Sequence, residues 1–430
     1  MYPDLIAFRE FEKDEVFSCI SGLIASTGQL EDSTKPEMAS WYGDCIARMI
    51  SAAEQYGLTG NIWQSWIALL FTQCENAFTL AQERRAPLGG TLSRLVFEDL
   101  EAVHFYFNFD LTKIDRELGV SLFERVGEYA PFSSGGFFFD RTAGKIVQRF
   151  ADEMRKAGSA EESYNALTHF YCVRGVGKYA LNKAFRWDGS AKEIMPATHT
   201  EDILLSGLVG YEKQKQILVD NTVAFLEGRP ANNVLLYGES GTGKSSSVKA
   251  LLNEYAPDGL RMIEVYKHQI EDLNMIVDRI KNRNYRFVIF LDDLSFEQFE
   301  VEYKFLKAFI EGGLEKRPDN VLIYATSNRR HLMRESWKDR EDKADDMHES
   351  ETMQEKMSLV DRFGLMVRFF SPEQDEYLNI VRVLAEEYKL DVPVYDLERG
   401  AIQWELRHGG FSGRCARQYI EHLAGGKKNK

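Results

Sequence analysis

Cysteine is scarce and scattered in this chain. The five cysteines among 430 residues (Cys19, Cys45, Cys74, Cys172 and Cys415) include no C-x-x-C pair, and an odd count leaves one unpaired in any disulfide scheme. That excludes a disulfide framework and a cysteine metal site, and it fits the reduced thiols of a cytosolic protein. Long apolar runs are missing as well. The most apolar stretch, 62–71, is interrupted by Gln64 and Ser65 and is too short to cross a bilayer. Met1-Tyr2-Pro3-Asp4 opens without a basic segment followed by an apolar one, so no secretion signal is expected there. Positive charge is in deficit: 53 Lys and Arg stand against 67 Asp and Glu, a formal net charge of −14. A surface basic enough for sequence-independent nucleic-acid binding is thereby excluded, leaving only local clusters at Arg329-Arg330-His331 and in the tail 426–430, which reads as solvated. No internal repeat is visible. The expectation is a soluble, cytoplasmic chain without a membrane segment, long enough for two or three domains.

What is present has a narrower meaning. Residues 238–245 read Gly-Glu-Ser-Gly-Thr-Gly-Lys-Ser, the pattern G-x-x-x-x-G-K-[ST]. Gly238, Gly241 and Gly243 let such a loop curl, so that successive N–H groups from Gly238 through Glu239, Ser240, Gly241, Thr242 and Gly243 point at one anion. Lys244 then reaches the β- and γ-phosphates, and the Ser245 hydroxyl helps to hold Mg2+. An apolar run of strand type, 234–237, precedes the loop. The stretch from Ser246 to Tyr255 reads as a helix with its positive end toward the phosphates, which adds Ser246 to the binding set. A glycine-rich turn that binds nothing is the alternative, and the flanking strand and helix argue against it.

Before this motif, residues 1–187 read as a mostly helical domain. Ile67, Leu70, Phe71 and Cys74 fall at helical spacing, as do Leu95, Leu100, Val103 and Phe107, with a break at 87–91. Two aromatic runs, 105–107 and 137–139, read as core, with a docking loop as the alternative for the second. Gly175-Val176-Gly177-Lys178 has no strand before it and no Lys-Ser/Thr pair after it. The stretch it opens, 175–187, is read as a helix turn with packing glycines. Polar residues 188–200 read as a linker. After them, strands at 234–237, 262–265, 287–291 and 321–325 alternate with helices, beginning with a helix over 212–226. That alternation predicts a parallel sheet with ligand sites at the strands' C-terminal ends. Ser371-Pro372-Glu373-Gln374 is expected to open a helix with a capping box and proline at its first position, starting a small helical lid.

Further candidate site residues follow in order. The strand 287–291 ends in Asp292-Asp293: Asp292 suits a metal on a triphosphate and Asp293 suits polarising an attacking water, the alternative being a solvent-facing acid pair. The next strand ends in Thr326-Ser327-Asn328. If it lies between the phosphate loop and the acidic strand, Asn328 touches both the γ-phosphate and the water; otherwise it is a turn residue. Arg362, in Asp361-Arg362-Phe363-Gly364, is an arginine finger, a local partner of Asp361 or a plain surface arginine. Gly409-Gly410-Phe411-Ser412-Gly413-Arg414 introduces a lid helix from which Arg414 reaches back to the nucleotide, with Arg417 as its competitor. Residues 335–356, rich in both charges and mostly acidic, read as an excursion from the core, either solvated or regulatory.

In this order the elements resemble those of the AAA+ ATPases, over about residues 201–425. The resemblance implies that Lys244, Ser245 and Asp292 bind MgATP. It makes Asn328 sensor one, Arg362 a finger acting in trans and Arg414 sensor two, with Leu208, Val209 and Gly210 against the adenine. The Asp-Asp pair and the Asp-Arg-Phe finger are similar to those of bacterial replication initiators and helicase loaders. Together with 181–187 (Leu-Asn-Lys-Ala-Phe-Arg-Trp), the chain resembles a bacterial domain-of-unknown-function family of predicted AAA+ ATPases over most of its length. The expected fold class is α/β: a helical N-terminal domain (1–187), a linker (188–200), a parallel-sheet P-loop core (201–370) and a helical lid (371–430). Two departures stand out. Asp293 occupies a position where most of the family has glutamate, which implies slow hydrolysis. The stretch 266–280 runs from strand directly to helix without an aromatic-glycine pore loop, which argues against threading a polypeptide. The expected function is a homo-oligomeric, ATP- and Mg2+-dependent switch that engages an unknown protein partner through the N-terminal domain. A nucleotide-gated scaffold with negligible turnover and a small-molecule phosphotransferase are the alternatives. Nucleic acid enters as a partner only through the initiator likeness.

Overall fold

The computed structural model describes residues 4–87, 89–132, 141–296, 301–312, 318–329, 332 and 359–426. The chain divides into two units, 1–182 and 183–430. Among its described residues the first unit is helical, with long helices at Glu15–Ser26, Lys35–Tyr56, Ile62–Gln73, Gly90–Phe107, Arg141–Lys156 and Ala160–Arg174. Side chains that accept the first free N–H groups fix where helices begin. Asp14 accepts from Phe17 N–H at 2.8 Å, and Asn76 closes a capping box with Thr79. The buried face of Gly90–Phe107 is Val96, Leu100, Val103 and Phe107. In the aromatic run 105–107, Tyr106 and Phe107 are core whereas Phe105 is exposed. The second run, 137–139, the acid-rich 335–356, Arg330-His331 and the lysines of the tail lie outside the described residues. Asp99 is buried, and its carboxylate is satisfied by the backbone N–H groups of Ile6, Ala7 and Phe8, between 2.7 and 3.1 Å away.

The second unit is a seven-stranded sheet: β1 (Ala184–Asp188), β2 (Glu193–Pro196), β3 (Val234–Gly238), β4 (Leu260–Glu264), β5 (Arg286–Leu291), β6 (Val321–Ser327) and β7 (Leu365–Phe369). Their order is β2-β1-β4-β5-β6-β3-β7, parallel throughout except for the β1–β2 hairpin. All seven residues of β6 are buried, as an inner parallel strand covered on both faces requires. Helices Glu212–Leu226 and Lys244–Tyr255 cover one face through Leu218, Phe225, Val248 and Leu251. Because β6 and β7 flank β3, the C-terminal ends of β3, β6 and β5 stand side by side, the crevice where such sheets bind ligands. Three helices, Gln374–Glu387, Val394–His408 and Gly413–Gly426, form the lid around their own core of Tyr377, Val381, Ala416 and Ile420. Among the described residues no helix is long and apolar enough to cross a membrane.

Three sequence expectations need correction. Residues 188–200 are not simply a linker: β2 lies within them, and the strand-bearing unit begins at Lys183. Nor is 178–187 one helical turn, because a four-residue helix at Lys178–Leu181 gives way to β1. In β1, Phe185 and Trp187 are buried and Arg186 between them is exposed, an alternation only three residues long. The packing role read for the glycines holds at Gly177, where φ is +70° and an added Cβ would fall 1.9 Å from Glu75 Oε1. Finally, the first lid helix starts at Gln374, so Pro372 is outside it; the capping box is formed by Glu373 and Glu376.

Candidate functional site

The loop after β3 is shaped by positions that only glycine fills. At Gly238 φ is +137°, and an added Cβ would lie 1.8 Å from the carbonyl oxygen of Phe369 on neighbouring β7. Gly241, with φ +76°, faces the lid turn: a Cβ there would stand 3.0 Å from Arg414 Cβ and 3.1 Å from Ser412 Oγ. The two segments are joined directly, since Arg414 N–H donates to Gly241 O at 3.2 Å. Ser412 Oγ accepts from Cys415 N–H at 3.1 Å and so caps the last lid helix.

Lys244 opens the helix after the loop and folds back into it. Its Nζ donates to the carbonyls of Gly238 (2.9 Å) and Glu239 (2.6 Å) and to Asn328 Oδ1 (3.1 Å). Burial pushes the Lys244 ammonium below its usual range, Asp293, Glu239 and Asp292 oppose that shift, and Arg414 adds to it. Next to it, Ser245 Oγ donates to Asp292 Oδ1 at 2.6 Å. Asn328 Nδ2 donates to Asp293 Oδ1 at 2.8 Å. The Ser245–Asp292 pair and the Lys244–Asn328–Asp293 chain bring the phosphate loop, the acid strand and the end of β6 together, as the strand order requires.

Thr326, at the end of β6, was not singled out from sequence, yet it organises the acid pair. Its Oγ1 donates to Asp292 Oδ1 and accepts the Asp293 N–H at 2.9 Å, and the hydroxyl-bearing residue is itself buried. Asp293 has a left-handed φ of +50°, a conformation that costs a non-glycine residue about 1 kcal/mol or more. The bond from Thr326 helps to hold it there. The available signal was a hydroxyl closing an otherwise apolar buried strand.

These groups line a cleft of about 450 Å3. One end is polar: Ser240, Gly241, Thr242, Gly243, Lys244, Ser245, Ser246, Asp292, Asp293 and Asn328. At the other, Ile203, Leu208, Val209, Ile380 and Leu384 supply apolar wall, with Val209 packed on the lid core. Lys215, also missed from sequence, fixes this end by donating to Leu208 O and Glu212 Oε1, each at 2.7 Å. Arg414 and Arg417 both border the cleft, so the two lid arginines remain joint candidates. Arg362 lies outside the cleft wall and forms an ion pair with Glu311 at the end of helix Glu302–Glu311. Donors and a buried cation at the loop suit anionic phosphates. The hydroxyl–carboxylate pair Ser245–Asp292 suits a divalent metal, and the apolar end suits a flat base.

The strand order and the loop make this an α/β P-loop unit. Among solved structures, the Thermotoga maritima RuvB Holliday junction branch migration motor is similar at 16% identity and a TM-score of 0.36, over 51% of this chain and 63% of that one. The FIGL-1 AAA domain in complex with ADP is similar at 19% identity and a TM-score of 0.37, over 53% of this chain and 74% of that one. This chain thus spans less than two thirds of the RuvB motor's length, and at these scores neither likeness carries an argument. No curated protein matches the chain. A family model described as "Protein of unknown function (DUF815)" matches residues 180–427, more than half of the chain, from the short helix before β1 to the last lid helix. The chain belongs to the DUF815 family.

Proposed function

We propose that this protein binds ATP with Mg2+ and hydrolyses it as an oligomeric switch, in which nucleotide state governs how the N-terminal unit engages a protein partner. The observation that carries the reading is the hydrogen-bonded convergence of Lys244, Ser245, Asp292, Asp293 and Asn328 on one cleft. Gly238 to Ser246 would cradle the phosphates through backbone N–H groups, and Lys244 would exchange its carbonyl partners for phosphate oxygens. Ser245 and Asp292 would hold the metal. Magnesium, when bound, draws charge from the phosphate oxygens and lowers the cost of the transition state. Asn328 and Asp293 would orient the attacking water, with Asp293 accepting its proton. Arg414 or Arg417 would add positive charge from the lid. Leu208 and Val209 would lie against the base. Arg362 of a second copy would complete the site, because its own copy keeps it outside the cleft wall.

A second reading, a nucleotide-gated scaffold with negligible turnover, is favoured by Asp293. Its carboxylate is one methylene shorter than glutamate and is already engaged by Asn328. The deciding experiment is phosphate release measured against protein concentration for the native chain and Arg362→Ala. The switch predicts a rate per protomer that rises with concentration and is lost in the variant. Release at background under all conditions, with ATP still bound, would favour the scaffold.

A further inference from the structure

Outside the nucleotide site, two thiols face each other across a helix pair. Helices Glu15–Ser26 and Lys35–Tyr56 pack side by side, and a cavity of about 190 Å3 opens between them. Its walls are Glu15 and Cys19 from one helix and Trp41, Asp44, Cys45 and Arg48 from the other, two rows at i, i+4 and i, i+3, i+4, i+7 spacing. Cys45 is buried, Cys19 is half-buried, and both are free thiols. Arg48 closes the rim through its ion pair with Glu15, and Trp41 is half exposed beside it. The neighbouring Cys45 thiol holds the Cys19 thiol below its usual range, against the opposing effects of burial and Asp44. The Cys19 thiol and burial push Cys45 up.

We propose that Cys19 and Cys45 form a peroxide-sensitive dithiol site, with Cys19 as the attacking thiol and Cys45 as the resolving one. Their positions on facing helices at a shared cavity assign these roles: the more accessible sulfur meets the oxidant and the buried one waits beside it. In the first step the Cys19 thiolate attacks a peroxide oxygen. An S–O bond forms, the O–O bond breaks, and the departing oxygen takes up a proton and leaves as water or alcohol. In the second step the Cys45 sulfur attacks the Cys19 sulfenic sulfur. The S–S bond forms, the S–O bond breaks, and water leaves with the Cys45 proton. Two thiols are oxidised by two electrons and one hydrogen peroxide is reduced to two waters. The resulting link would staple the first two long helices of the N-terminal unit.

The test is to treat the full chain with stoichiometric hydrogen peroxide, quench by acid, alkylate and map the peptides by mass spectrometry. A Cys19–Cys45 cross-linked peptide should appear at least about tenfold faster than any oxidation of Cys172, the other half-buried thiol. In Cys45→Ser, Cys19 should instead accumulate a dimedone-reactive sulfenic acid, whereas Cys19→Ser should leave Cys45 alkylated. Full alkylation of both thiols in the treated native chain, or oxidation of Cys172 at an equal rate, would overturn the proposal. Dimedone labelling in folded Cys45→Ser, checked by circular dichroism, keeps the test open if the cross-link itself strains the helices.

Discussion

Asn328 is hydrogen-bonded to Asp293 at 2.8 Å while its own carbonyl oxygen accepts from Lys244 Nζ at 3.1 Å. That pair of bonds fixes the amide: oxygen toward the ammonium, nitrogen toward the carboxylate. Asn328→Ala should therefore leave ATP binding within a few-fold while lowering phosphate release by on the order of a hundredfold, the loss seen when one oriented polar group is removed from a transition state. Parallel calorimetry and steady-state phosphate release would check this. An equal loss in both would assign Asn328 to ground-state binding.

Thr326 supplies a hydroxyl to Asp292 and an acceptor to the Asp293 N–H. Thr326→Val keeps the shape but removes the closer acceptor of that N–H, leaving only its 3.2 Å contact with Asp292 Oδ1, at a cost of about 1 kcal/mol in unfolding free energy. Thr326→Ser should restore most of the stability and the activity. Denaturant unfolding of the three proteins distinguishes this from a simple packing effect, for which Val would be the milder change.

Arg362 is paired with Glu311 in the same copy. If Arg362 acts on a neighbour's nucleotide, Glu311 competes for it. Arg362→Ala should then reduce the assembled rate by roughly a thousandfold, as for a lost arginine finger. Glu311→Gln should move the rise in rate to lower protein concentration. Rate curves for both variants over a range of concentrations provide the check.

The carboxyl of Glu264, at the end of β4, is pushed up by burial and by Asp292, with Lys249 and Arg186 opposing. A carboxyl raised in the folded state contributes stability below its unfolded pKa and loses it as pH climbs through the folded value. Glu264→Gln should accordingly gain thermal stability over the native chain as pH rises from acid to neutral, with the difference closing at the acid end. Melting curves across that range test it, and a gap that widens toward acid would contradict the sign.

Strands β3, β5 and β6 were legible in sequence because inner parallel strands are apolar without interruption, and the phosphate loop because its glycines answer to backbone geometry. β1 and β2 were not, since an alternation over Phe185, Arg186 and Trp187 is too short to separate from a helix turn. The five residues from loop, acid strand and β6 that meet at the cleft were named from motif order alone. Thr326 escaped because its one signal, a hydroxyl at the end of an apolar strand, is shared by ordinary turn residues. Glu311 escaped because the ion pair closes over 51 residues of chain, as did Asp99, which reaches back more than 90 residues to residues 6–8. Such long-range polar contacts have no local signature.

The most direct measurement is titration calorimetry of ATP with Mg2+ into the native chain and Lys244→Ala. Lys244 is the one loop cation engaged with both the phosphate loop and Asn328, so its loss should weaken binding by about 3 kcal/mol, on the order of a hundredfold in Kd. Equal affinity in the two folded proteins would mean that the triphosphate does not sit in this cleft.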